Sequence, residues 1–227
     1  MKIRVEIKKQ MNEQIEFTGF PKMARLSREC IITEKIDGTN AQIRITEDGQ
    51  MLVGSRTRWI TPTDDNFGFA AWAHAHRDEL MTLGVGSHFG EWWGQGIQRK
   101  YGLAEKRWSL FNVSRWCLAS ETPQRIPTAD PRISKIQDVL PTCCSLVPML
   151  FRGEFSTGAC AAALLGLEAG GSWAAPGFMF PEGIVCYHVA SGVGFKKTIE
   201  KDEEPKALQA HNEKLSDASE AFAPALG

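Results

Sequence analysis

At 227 residues and a formal charge of −1, the chain is long enough to bury a real core, as one large domain or two small ones. The near-neutral balance excludes binding to nucleic acid by bulk charge, so any such partner needs a local basic groove. Local clusters exist at Arg99, Lys100, Lys106 and Arg107, and again at Lys196–Lys197. The six cysteines form no Cys-x-x-Cys pair, which favours reduced, buried thiols over a disulfide framework. The N-terminus lacks an apolar signal region, and no apolar run approaches the roughly 20 residues of a membrane span. The expectation is a soluble, cytoplasmic type of protein.

In chain order, periodicity predicts strands near 30–35, 41–46, 50–55, 87–93, 108–114, 145–151, 183–189 and 193–199. Asp48–Gly49 marks a hairpin between the second and third of these. A helix is predicted to open near Asp65 or Asn66, with Phe69, Trp72, Ala73, His76 and Leu80 on one stripe. The turn-rich stretch from Ser120 to Pro141 reads as a surface excursion. A second helix is predicted from Thr157 to Glu168, stopped by Gly170–Gly171. Together these give an α+β class built on antiparallel sheet, with helices at the margins. Residues 1–200 form the domain, and 201–227 read as a short charged tail or helix, too short for a separate oligonucleotide-binding domain.

One unit asks for a chemical explanation. Lys35 follows the apolar run Cys30-Ile31-Ile32 and precedes the turn Asp37–Gly38, in the order Lys35-Ile36-Asp37-Gly38-Thr39-Asn40. A lysine that acts as a nucleophile must first be neutral, which desolvation or neighbouring cations favour. A glycine at the turn lets backbone approach a ligand closely. Alone, the pattern supports only a solvated strand end. Elsewhere, Glu91 lies between Gly90 and Trp92–Trp93, where an unpaired charge is costly, so a ligand or an ion pair is the better reading. His74 and His76 are two apart on the predicted helix and make a poor metal pair.

Six segments in the same order resemble the motifs of the covalent nucleotidyltransferase superfamily, which contains ATP-dependent polynucleotide ligases and mRNA capping enzymes. Among these the chain looks most like an ATP-dependent RNA ligase of the RNA ligase 2 type. "KIDGTN" resembles the nucleophile motif, and Asn40 stands where DNA ligases and capping enzymes more often carry arginine. "GSRTR" contributes Arg56, "FGEWWG" Glu91, "WSLFNV" Phe111, "PEGIV" Glu182 and "GFKKT" Lys196 and Lys197.

The resemblance implies an antiparallel-sheet nucleotidyltransferase domain (ATP-grasp-like, the adenylation domain of ligases) that uses ATP with Mg²⁺ or Mn²⁺. It implies Lys35 as the nucleophile, Lys196 and Lys197 as catalytic cations, and Glu182 as metal ligand. Glu34, Ile36, Asp37, Gly38, Asn40, Arg56, Glu91, Phe111 and Glu182 would form the cofactor-binding set. The implied partner is RNA with 5′-phosphate and 3′-hydroxyl ends, with DNA as an alternative acceptor and an accessory protein as a further partner. The rival functions are a DNA ligase, a capping-type nucleotidyltransferase, or a non-catalytic nucleic-acid-binding module. Trp108 and Trp116 are alternatives to Phe111 as the stacking ring. Adjacent strand residues face opposite ways, so only one of Lys196 and Lys197 is expected to enter the site, and Lys196 is favoured.

Overall fold

The computed structural model describes residues 18–117 and 140–200. Its strands are β1 (Glu29–Lys35), β2 (Thr39–Ile45), β3 (Met51–Ser55), β4 (Gly86–Gly94), β5 (Lys106–Leu110), β6 (Cys144–Leu146), β7 (Met149–Glu154), β8 (Gly183–His188) and β9 (Val193–Thr198). The helices are α1 (Phe69–Ala75), α2 (Arg77–Met81) and α3 (Thr157–Gly170), with a π-helical turn at Val113–Cys117. They form a four-stranded sheet ordered β7-β1-β8-β9 and a five-stranded sheet ordered β3-β2-β4-β5-β6. All pairings are antiparallel except β5 with β6. This is the mixed α+β, mainly antiparallel class that the periodicity predicts.

β1 is the strand that organises the site. Its centre, Cys30 to Glu34, is buried throughout, because it is paired on both edges and covered on both faces. Ile31 joins Val113 and Met149 on one face. Cys30 and Ile32 join Leu167, Ile184 and Cys186 under α3 on the other. The outer core packs α1 against the five-stranded sheet, where Phe69 and Trp92 rings lie 5.4 Å apart and Phe69 and Trp108 rings 5.5 Å. None of the described helices is long and apolar enough to cross a membrane.

Three predicted elements are corrected. The helix expected to run through the His76 stripe is two short helices, broken where His76 adopts φ −106° and ψ 22°. Asp65 opens the first by accepting from the amides of Ala70 and Ala71 at 2.7 and 3.0 Å, and Trp72 and His76 of the stripe are only half-buried. The strand predicted at 145–151 is two strands in different sheets. Pro148 has no amide to donate to a ladder; the chain changes sheets here, with Val147 N–H donating to Leu110 O at 3.0 Å and Pro148 O accepting from Glu34 N–H at 2.9 Å. The strand predicted at 108–114 starts earlier and ends at Leu110, since Asn112 opens the π-helical turn.

The predicted β2–β3 hairpin closes at Gly49, with φ 80°. Helix α3 matches its prediction closely, with Ser156 Oγ accepting from Ala159 N–H at 3.0 Å and its final amide partner at Gly171 N–H to Leu167 O. Most of the Ser120–Pro141 excursion and the whole 201–227 tail lie outside the described residues. Five cysteines within them, Cys30, Cys143, Cys144, Cys160 and Cys186, are free thiols.

Candidate active site

Lys35 ends β1 where the strand leaves the core. Across the ladder its partner is Gly183, so the preceding residue, Glu182, reaches the lysine. Lys35 Nζ donates to Glu182 Oε2 in an ion pair whose side chains are 21% and 6% exposed. The carboxylate is thus almost entirely withdrawn from water while the amine keeps access to the cavity.

The turn after β1 is fixed from below. Asp37 N–H donates to Tyr101 Oη at 2.8 Å, and Arg99 Nε donates to Asp37 Oδ2 at 3.2 Å. Gln98, Lys100 and Tyr101 adopt left-handed φ values of 42°, 60° and 51°, a costly conformation for residues with a Cβ. The tight loop they form brings the Tyr101 hydroxyl under the turn. Burial among carboxylates pushes the Tyr101 hydroxyl well above its ordinary range, which keeps it a neutral hydrogen-bonding group. Gly38 permits the closest contact: a Cβ there would stand 2.4 Å from Trp92 O and 2.7 Å from Trp93 Cβ.

Glu91 is tied to the same turn. It pairs with Asn40 across β2 and β4, accepting from Gly38 N–H at 3.0 Å and Asn40 Nδ2 at 3.3 Å. Burial pushes its carboxyl up to about 7, against the opposing pull of the Lys35 charge and the Gly38 amide. The nucleophile motif and the acidic strand motif are therefore one hydrogen-bonded unit.

These groups border a cavity of about 560 Å³ whose wall includes Lys35, Asn40, Arg56, Glu91, Phe111 and Lys196. Its apolar lining comes from Val113, Val147 and Val185. Such a volume lies in the range of small-molecule pockets, with a few convergent polar groups on an apolar floor.

A family model for RNA ligase matches residues 28–201. The chain belongs to the RNA ligase family. Among solved structures, the fold is similar to that of a Naegleria gruberi RNA ligase in several forms. Its apo form carrying a substitution matches at 19% identity and a TM-score of 0.50, covering 76% of this chain and 50% of that one. The form with AMP and Mn matches at 18% identity and 0.51, covering 75% and 49%. The form with pyrophosphate matches at 20% identity and 0.50, covering 84% and 52%. This chain therefore spans about half the length of the solved structures it matches. No curated protein matches it.

The residues singled out by the RNA ligase resemblance fall into distinct places. Lys196 pairs with Val185 and shares its face toward the cavity, whereas Lys197 pairs with Ile184 and faces the opposite side. Phe111 stands on the cavity wall, while Trp108 and Trp116 are buried in the outer core. Ile36 and Glu34 border the cavity, but their side chains are engaged elsewhere. Ile36 packs with Trp93 and Tyr101. The Glu34 carboxylate accepts from Ser172 Oγ at 2.5 Å, Trp173 N–H at 2.8 Å and Ala174 N–H at 2.9 Å. The Glu34 carboxylate thus orders the 172–175 turn, and burial raises its pKa despite those donors.

In the basic cluster at 99–107, three of the four cations are engaged by neighbouring groups. Arg99 serves Asp37, Lys106 donates to Phe67 O at 2.7 Å, and Arg107 pairs with Glu105 at 2.6 Å. Tyr101 and Ser172 are structural partners of the site that the sequence reading missed. The sole local signal for Tyr101 is the following Gly102, which marks a turn.

Proposed function

We propose that this chain is an ATP-dependent RNA ligase that works through a lysyl-AMP intermediate on Lys35. The observation that carries the reading is Lys35, paired with the buried Glu182, on the wall of a cavity that Glu91, Phe111 and Lys196 also line. Lys35 Nζ attacks the α-phosphorus of ATP. An N–P bond forms, the P–O bond to pyrophosphate breaks, and the amine gives up its protons. The contact with Glu182 positions the amine, and attack requires that the nitrogen shed a proton, with that carboxylate within reach to take it. Lys196 lies on the same face and stabilises charge on the reacting oxygens. Phe111 stacks on the adenine ring, a contact to a π-face rather than to base edges. Glu91 is placed to accept from ribose hydroxyls once its bonds to the Gly38 turn rearrange.

The donor set fits a metal that arrives with its substrate. Among the described residues no group of three or more His, Cys, Asp or Glu side chains could hold an ion by itself. Mg²⁺ characteristically uses one or two carboxylates and takes its remaining ligands from phosphates and water. Glu182 would be that carboxylate, and the ion would neutralise charge on the leaving pyrophosphate. The AMP then passes to an RNA 5′-phosphate, and a 3′-hydroxyl displaces it to seal the strand, with Asn40 and Arg56 serving these later steps.

Radiolabelled ATP or GTP with Mg²⁺ or Mn²⁺, followed by denaturing electrophoresis, tests the first step. Sealing of 5′-phosphorylated RNA, nicked RNA and nicked DNA tests the rest. The expected result is label from ATP and sealing of RNA. Label from GTP, sealing confined to DNA, or no label under either metal overturns the proposal.

A further inference from the structure

The face of the five-stranded sheet that borders the cavity does not stop at it. Along β2 the residues on this face are Asn40, Gln42 and Arg44, alternating with the buried Ala41, Ile43 and Ile45. Asn40 lies opposite Glu91 at the cavity. One step on, Gln42 lies between Phe89 and Gly54; the next row is Ser87, Arg44 and Leu52. Successive rows are about 6.8 Å apart, the two-residue repeat of an antiparallel strand. Over Gly54 lies the indole of Trp59, bridged to that strand, with Cε3 at 3.0 Å from where a Gly54 Cβ would be.

This ledge has an unusual surface. Trp59 is 53% exposed, Phe89 41% and Leu52 38%. Arg44 is exposed and braced by Ser87 Oγ at 3.0 Å, and Arg56 stands where the ledge meets the cavity. None of the residues in the rows beyond Glu91 is acidic. Two aromatic rings separated by an amide side chain and flanked by arginines match the requirements of an unpaired polynucleotide. Rings stack on base faces without regard to sequence, and guanidinium groups meet phosphates. A duplex hides its base faces inside the stack and offers no such contact.

We propose that this ledge is the track for an unpaired RNA strand, with Trp59 and Phe89 as base-stacking residues and Arg44 and Arg56 on its phosphates. It rests on the ligase reading for the direction of the track, which leads the strand end toward Lys35. A nicked duplex is then the poorer substrate and a single-stranded end the better one.

The test is a fluorescence-anisotropy titration of the full chain, without ATP, using a short 5′-phosphorylated RNA labelled at its 3′ end. The same strand annealed to its complement is the second probe. Wild type is expected to bind the unpaired strand more tightly. Trp59→Ala and Phe89→Ala each weaken that binding by about tenfold, the scale of one lost base stack, while Trp59→Phe keeps most of it. Arg44→Ala lowers the salt slope by about 0.7, one phosphate contact on a single strand. Both aromatic sites are surface positions, and circular dichroism of each variant reports the fold directly. Unchanged binding in the Trp59→Ala, Phe89→Ala double variant, or tighter binding of the duplex, overturns the inference. Because no ATP is present, loss of RNA binding in these variants stands even where wild type accepts no AMP, a result that removes the ligase reading alone.

Discussion

On one face of β1, β8 and β9 stand Thr33, Lys35, Val185 and Lys196, which border the cavity. On the other stand Cys30, Ile32, Glu34, Ile184, Cys186 and Lys197, largely under α3. The strands are the same, and neighbours in sequence go to opposite sides. Glu34 and Lys35 are adjacent, yet the Glu34 carboxylate organises a buried turn while the Lys35 side chain meets the cavity. The period of two thus separates stability from chemistry within single strands. A motif that is contiguous in sequence is divided by the pleat into a half that borders the cavity and a half that holds the sheet.

The sharpest way to break this comparison is the lysine pair. Lys196→Ala should slow AMP labelling by about 100- to 1,000-fold, the cost of losing one group that stabilises charge in the reaction. Lys197→Ala should stay within about threefold, and rapid-quench labelling of both variants decides it. Equal losses would mean that β9 does not sort the two by face.

The buried carboxylate Glu34 and the turn glycine Gly38 come next. Glu34→Ala removes the acceptor of the Ser172 hydroxyl and of the Trp173 and Ala174 amides and should cost about 2–3 kcal/mol in denaturant unfolding. Labelling by the folded fraction should change little. Gly38→Ala should cost about 1–3 kcal/mol, because the added Cβ meets backbone that cannot retreat, and here labelling should fall with it.

The smallest effect is a pH dependence at Glu91. Its folded-state carboxyl titrates at about 7, above the ordinary value near 4.3 for an unfolded chain. Between those values the native state holds more protons than the unfolded one, so this group's contribution to stability falls as pH rises through the window. Glu91→Gln should therefore gain stability over wild type at pH 8, on the order of 1–3 kcal/mol, and little at pH 5. Thermal unfolding at the two pH values reads this, and a gain at pH 5 alone would reverse the assignment.

The candidate residues were legible as six segments in the order of a family resemblance, and no one of them carried the reading alone. Lys35 sits at a strand end before Asp37–Gly38, and Glu91 is a charge amid tryptophans. Strand alternation implied that only one of Lys196 and Lys197 enters the site, and the resemblance favoured Lys196, which the cavity lining includes. What escaped depends on contacts distant in sequence. Nothing near Glu34 reveals that Ser172 to Ala174 will close over it. Nothing near Tyr101 reveals that its hydroxyl will sit under residue 37. Likewise, an apolar run that changes sheets at Pro148 has the pattern of one strand, and the basic cluster at 99–107 has the pattern of a groove until its ion pairs are known. Sequence patterns mark groups that line the cavity; the groups that support them are set by tertiary packing.

The account turns on one bond. The most direct test is peptide mass mapping of the chain after incubation with ATP and Mg²⁺ or Mn²⁺ under conditions that preserve an acid-labile phosphoramidate. The prediction is a single AMP adduct on Lys35, absent from Lys35→Ala. An adduct on another residue, or none in the wild-type chain, would contradict it.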